Sequence, residues 1–281
     1  MTIAITGASG QLGQLVLNRL SEQKNAEPIV ALMRTPTAAS LNKGETRRFD
    51  YNKIETLIPG LTGVDTLILI SSSEIGQRVT QHRNVITAAQ SANVKRIIYT
   101  SVLHADVSAL SLADEHRATE AALKASGLAF TILRNGWYTE NYTASVKAAL
   151  DGGAFIGSAG NGLISSASRA DYAEALAITA TDFSHDGKIY ELAGDTAWTL
   201  AELAAEISQQ SGKKIPYLDL PTNEYAQALI KFGLPDGLAS AIASWDSAAS
   251  RGALFDDSHQ LSALIGRPTT GLAASVASAL A

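Results

Sequence analysis

The chain of 281 residues contains no cysteine. Its absence removes disulfides, thiolate nucleophiles and cysteine-ligated metals together. Charge is sparse as well: 17% of residues are charged, and 27 acidic against 22 basic side chains leave a net charge of −5. No basic field exists to hold a phosphate backbone, which excludes nucleic acid as the main partner. No apolar run approaches the roughly 20 residues that span a bilayer. The opening MTIAITGASG lacks the basic stretch and cleavage site of a secretory signal. The expectation is a cytoplasmic protein. With 46% hydrophobic residues, the chain can bury a large core, as one α/β unit or as two lobes.

What is present begins at the first residues. A short apolar β run, Ile3 to Thr6, meets Gly7, Gly10 and Gly13 where a helical pattern starts, with Leu12, Leu15, Val16 and Leu20 as its apolar stripe. Gly7 can turn the chain sharply, Gly10 leaves bare backbone for a pyrophosphate, and Gly13 lets helix and strand pack closely. The spacing is GxxGxxG. The helix start that follows would bind phosphate through free N–H groups and its positive dipole end. This is a dinucleotide-binding corner built from Gly7, Ala8, Ser9, Gly10, Gln11 and Leu12.

Strand patterns at Ile3–Thr6, Ile29–Met33, Thr46–Phe49, Thr66–Ile70, Arg96–Thr100 and Ala129–Leu133 alternate with helical stretches at 11–23, 53–58, 78–92 and 113–126. That alternation predicts an α/β fold, a Rossmann-like doubly wound parallel sheet over residues 1–134. Residues 135–281 are expected to form mainly a smaller, discontinuous C-terminal substrate lobe. A strand near 189–192 could rejoin the sheet. DGGAFIGSAGNG at 151–162 reads as loop, a helix is expected at 200–210, and the Ala- and Leu-rich tail from about 259 reads as one packed terminal helix.

Further candidates sit where a doubly wound sheet opens its ligand crevice, beyond the carboxyl ends of the strands. Arg34 follows the second strand, 21 residues past Gly13. An acidic residue near that point would favour NAD; an arginine can grip the 2′-phosphate of NADP through charge-assisted hydrogen bonds. Ser71, Ser72 and Ser73 end the fourth strand and could hydrogen-bond ribose or phosphate. The turn Asn135, Gly136, Trp137, Tyr138, Thr139, Glu140, Asn141 follows the sixth strand. Its aromatics could wall a nicotinamide and stack a flat acceptor, with Asn135, Trp137 and Tyr138 as substrate residues.

No tyrosine of the eight is followed four positions later by lysine. The proton-relay pair with which short-chain dehydrogenases oxidise alcohols is therefore absent. His104, Asp106, Asp114, Glu115, His116 and Glu120 occupy the stretch where that helix should lie, and read as a solvated or lobe-facing helix surface. They do not form a metal motif, and no metal is expected. No catalytic side chain is assigned.

TGASGQLG, the serines continuing as EIGQR, HRNVI, TSVLHAD, LADEH, LRNGWYTENY, SRADYA and YELAGDTAWTL together resemble the type 2 NAD(P)H:quinone oxidoreductases. These are atypical short-chain dehydrogenases of the NmrA-like group, similar also to the triphenylmethane reductases. The resemblance implies NADPH bound by Gly7 through Leu12, by Arg34, by Ser71 to Ser73 and by the turn from Asn135 to Glu140, with Arg169 nearby. It implies reduction of a quinone or similar flat acceptor by direct hydride transfer, without flavin or metal. Two alternatives stand beside it: a dinucleotide-binding redox sensor without turnover, and a triphenylmethane dye reductase.

Overall fold

The computed structural model describes residues 1–23, 27–36 and 44–281. Its strands are β1 (Ile3–Ile5), β2 (Ile29–Met33), β3 (Glu45–Arg48), β4 (Thr66–Leu69), β5 (Arg96–Val102), β6 (Ala129–Asn135), β7 (Phe155–Gly157), β8 (Ile189–Leu192) and β9 (Tyr217–Asp219). Its helices are α1 (Gln11–Ser21), α2 (Leu57–Gly60), α3 (Arg78–Ser91), α4 (Ala113–Ala125), α5 (Glu140–Thr143) and α6 (Val146–Gly152). They continue with α7 (Arg169–Thr181), α8 (Leu200–Ser211), α9 (Thr222–Lys231), α10 (Asp236–Ala249), α11 (Gln260–Ile265) and α12 (Leu272–Leu280).

Seven strands form one sheet in the order β3-β2-β1-β4-β5-β6-β8. The registers Ile3↔Ile29, Ile3↔Thr66, Thr66↔Arg96 and Arg96↔Ala129 are parallel. Ile132 N–H donates to Lys188 O and Gly136 N–H to Leu192 O. The equal advance on both strands makes β8 parallel too. Every residue of β1, β2, β4 and β5 is buried, as a parallel sheet covered on both faces requires. The edge strand β3 instead has exposed ends, with Arg47 folded back onto Glu45 and onto the carbonyls of Gly60 and Thr62. The strand order reverses between β1 and β4, the switch point at which such sheets bind ligands.

The chain divides into two compact units. The first comprises Met1–Asp106, Leu112–Asn135 and Arg169–Tyr190; the second comprises Val107–Ser111, Gly136–Ser168 and Glu191–Ala281. The connectivity thus passes between them more often than a single division at 134/135 describes. In the first unit α1 buries Leu12, Gly13, Val16, Leu17 and Leu20, so Leu17 rather than Leu15 completes the stripe, and α7 packs beside it. In the second unit, β7 and β9 form a separate two-stranded parallel sheet.

Two sequence expectations change in the second unit. Phe155–Gly157, inside the segment expected to be loop, is strand β7, because its pairing with Tyr217–Asp219 comes from far along the chain. The expected single terminal helix is two, since Gly266 takes φ +70° to close α11 and Pro268 follows before α12. By contrast α8 begins as local chemistry dictates: Thr199 caps the Glu202 N–H while the Glu202 carboxylate accepts from Thr199 N–H.

Within the glycine corner the closest backbone approach lies at Gly13, where a Cβ would fall 2.4 Å from Gly7 O and 2.8 Å from Ala8 Cα. Replacement of Gly13 by Val is expected to destabilise the protein by about 3 kcal/mol, read as a lower urea midpoint at unchanged slope. Gly10→Ala, whose Cβ would meet only Gly7 O at 3.2 Å, should cost much less. Equal losses at both positions would contradict this packing.

Candidate functional site

Thr6, buried at the end of β1, fixes the switch point. Its Oγ1 accepts from Ile70 N–H at 2.9 Å and from the Tyr51 hydroxyl at 2.6 Å, and that hydroxyl also lies 2.9 Å from Ile70 O. Gly7 then turns the chain with φ +59°, which a side chain would resist. The loop is braced from below by the Gln14 side-chain amide, which donates to Ala8 O at 2.7 Å. Gly10 stands at the N-cap of α1 with no side-chain cap, and the first turn holds no acidic residue. The first-turn N–H groups therefore keep their capacity for an anion.

The serine loop leaves β4 next to this corner and is held at three points. Ser71 N–H donates to Thr100 Oγ1 at 2.8 Å, Ser72 N–H to His82 Nε2 at 3.0 Å, and Arg78 Nε to Ser72 O at 2.5 Å. Because His82 Nε2 accepts, its proton sits on Nδ1, 3.0 Å from Thr119 Oγ1, and that hydroxyl donates to Glu115 O. His116 follows the same logic, with Nδ1 2.7 Å from the Tyr99 hydroxyl and Nε2 facing Arg78. Burial, reinforced by the Arg78 charge, holds both imidazoles neutral, each pushed down to about 3.

His116 and Glu120 are therefore not a solvated helix face. They are 4% and 3% exposed, because α4 turns that face onto the sheet. Glu120 binds the Arg134 guanidinium through two 2.9 Å contacts and accepts from Ser101 Oγ at 2.7 Å. Burial alone would push the Glu120 carboxyl up, but Arg134 and Ser101 outweigh it and hold it below its ordinary value. Arg134 also reaches Asp106 Oδ1 at 3.0 Å. This network fixes the end of β6, where Leu103 N–H donates to Asn135 O.

Within the first unit, Gly7 to Leu12, Arg34 and Ser71 to Ser73 come together at the carboxyl edge of the sheet, and Arg169 opens α7. Arg34 is exposed and pairs with Glu74 at 3.3 Å; Glu74 also accepts from Gln81 at 2.8 Å. Asn135 ends β6. Gly136, Trp137, Tyr138, Thr139 and Glu140 belong to the second unit. There Trp137 O accepts from Ala167 N–H, Thr139 N–H donates to Ala167 O, and the Thr139 and Ser166 hydroxyls lie 2.7 Å apart. Trp137 meets Trp245 edge to face, with ring centroids 5.5 Å apart.

Sequence reasoning overlooked His82, Thr100 and Trp245. His82 had a legible signal: with Val85, Ile86 and Ala89 it falls at i, i+3, i+4 and i+7, on the buried stripe of α3. Trp245 had none, since its partners come from distant segments. Among the described residues no cluster of three or more His, Asp or Glu side chains could hold a metal ion, and no helix is long and apolar enough to cross a membrane.

Residues 7–182 match the model of an NAD(P)H-binding family. The chain is 56% identical over 277 residues to quinone oxidoreductase 2 of Escherichia coli, covering 98% of this chain and 97% of that protein. The crystal structure of the NADPH-dependent E. coli enzyme complexed with NADPH superposes with a TM-score of 0.95 at 55% identity, over 99% of this chain and 100% of the other. Triphenylmethane reductase of Citrobacter sp., complexed with NADP(H), gives 0.92 at 35% identity over 99% of both chains.

The neutral histidines set a pH dependence. Unfolded, they protonate near 6.5; folded, only near 3. The unfolded chain therefore binds more protons between those values, and stability falls as pH drops through that window, by about 1.4 kcal/mol per pH unit for each imidazole. The melting temperature should fall by several degrees between about pH 7 and about pH 5. His82→Gln, whose side-chain oxygen can still accept from Ser72 N–H, should flatten that acid slope, and an unchanged slope would refute the assignment.

Proposed function

The chain belongs to the NAD(P)H-binding family, alongside quinone oxidoreductase 2, and on that premise we propose that it reduces quinones with NADPH. The reaction is a two-electron reduction by direct hydride transfer, without flavin. The observation that carries this reading is the full-length similarity to the E. coli quinone reductase, from the glycine corner to the last helix.

The residues present fit the dinucleotide. An uncapped helix start without acidic side chains, approached by a loop in which a Cβ at Gly13 would strike backbone, suits a pyrophosphate. Gly7 to Leu12 would hold the phosphates, Ser71 to Ser73 the adjoining ribose, and Arg34 the 2′-phosphate. Arg34 would exchange its Glu74 carboxylate for a dianionic phosphate, to which a guanidinium can donate two parallel hydrogen bonds. When bound, the cofactor supplies two electrons and a hydrogen to the acceptor. The protein's part is position and exclusion of water, since the hydroquinone oxygen can take its proton from solvent. Asn135 at the end of β6, with Trp137 and Tyr138 in the second unit, would orient the acceptor; Gly136, Thr139, Glu140 and Arg169 complete the cofactor set.

Oxidation of NADPH by the purified protein should accelerate with quinones in a panel that also contains triphenylmethane dyes. A preference for dyes would move the reading to dye reduction. NADPH binding with no acceptor-stimulated rate would leave a redox sensor in its place. Arg34→Ala should raise the KM for NADPH roughly tenfold or more and leave that for NADH nearly unchanged; equal effects would remove Arg34 from the 2′-phosphate site.

A further inference from the structure

Trp245 is placed with more care than a surface aromatic requires. It lies on α10, whose Ala239, Ala243, Ala248 and Ala249 are buried. The neighbouring Asp246 anchors the helix: its carboxylate is 6% exposed and accepts from Ser158 N–H at 2.9 Å. The Trp245 indole stands at 69° to that of Trp137, and its Nε1–H donates to Ser111 Oγ at 3.1 Å. Ser111 belongs to Val107–Ser111, the short segment that joins the second unit while its flanks belong to the first. Trp137 and Trp245 are half-buried and Ser111 is exposed, so this corner is accessible.

Two indoles near a right angle line a corner with two electron-rich faces. An electron-poor aromatic ring seated there can stack on one indole and turn its own electropositive edge to the face of the second. The Ser111 oxygen accepts from the indole and keeps one O–H to donate; among the described residues no acceptor for it is recorded. We propose that Trp137, Trp245 and Ser111 form the acceptor-recognition corner, selecting fused-ring quinones by stacking and holding a carbonyl oxygen through the Ser111 hydroxyl. Trp245 and Ser111 are thus specificity residues beyond those legible in the sequence. The inference rests on the quinone reductase reading above. The Ser111 hydrogen bond strengthens as charge builds on the carbonyl oxygen, and Ser111 itself loses no proton.

The test uses the full chain with 1,4-naphthoquinone and 1,4-benzoquinone as acceptors. Trp245→Leu should raise the KM for naphthoquinone roughly tenfold and that for benzoquinone far less, with the KM for NADPH moving less than about twofold. Trp245→Phe, which restores a ring, should recover most of the loss, and Ser111→Ala should raise the KM for both quinones roughly threefold. These two variants decide the matter if Trp245→Leu fails to fold, as its melting curve will tell. A merely structural Trp245 would lower activity with both quinones alike; that result, or an unchanged naphthoquinone KM, overturns the corner and leaves the reductase reading standing. Calorimetric binding of naphthoquinone to the NADP+-loaded protein separates the converse case. Trp245-dependent binding with no quinone-stimulated turnover would sink the reductase reading and keep the corner, and neither binding nor turnover would end both.

Discussion

The seam between β1 and β4 is the constraint on which the rest of the first unit depends. At that seam the Thr6 oxygen takes the Ile70 N–H and the Tyr51 hydroxyl. The two loops that diverge from it, Gly7 to Leu12 and Ser71 to Ser73, start from a common fixed point. Neighbouring parallel strands must separate there, because one leads to a helix on one face and the other to a helix on the opposite face. Buried backbone groups freed by that separation need partners, and Thr6 supplies them without a charge. A valine of the same shape would leave Ile70 N–H and the Tyr51 hydroxyl competing for fewer acceptors. The position of the serine loop would then rest on His82, Thr100 and Arg78.

Much of this arrangement is legible in the sequence, and what is not follows a physical rule. β1, β2 and the glycine corner announce themselves because their determinants lie within a dozen residues: an apolar run, a left-handed Gly7 and a helical stripe. Strand β7 and the hairpin of α9 and α10 do not, since Phe155–Gly157 becomes a strand only when Tyr217–Asp219 lies beside it. Of the candidate site, Arg34 and the serines follow from strand ends. Glu120 was hidden for a different reason. Its residue type suggests solvent, and only the partners Arg134 and Ser101 make its burial tolerable.

Helix α4 illustrates this second rule. In short-chain dehydrogenases the corresponding helix would present a tyrosine and a lysine four residues apart; here the same spacing is taken by His116 and Glu120, both turned inward. The change converts a reactive pair into scaffolding. The Glu120–Arg134 contact is a buried ion pair, of little net benefit relative to apolar packing but costly, by about 3–5 kcal/mol, to break from one side. Its geometric effect is specific, because Arg134 immediately precedes Asn135 and also holds Asp106. A hydride acceptor that needs no enzyme-bound base leaves such a helix free for this work.

The glycine corner has one more consequence, through the kind of electrostatics it uses. Its donors are backbone amides fixed by the fold, with no mobile side-chain charge, and the histidine beneath the serine loop is neutral. Dissolved ions screen exposed charges far more than short, oriented hydrogen bonds. If Arg34 grips the 2′-phosphate as proposed, ionic strength acts mainly on that single exposed guanidinium. Rising salt would then erode the distinction between the two nicotinamide dinucleotides well before it loosened the hold on either of them.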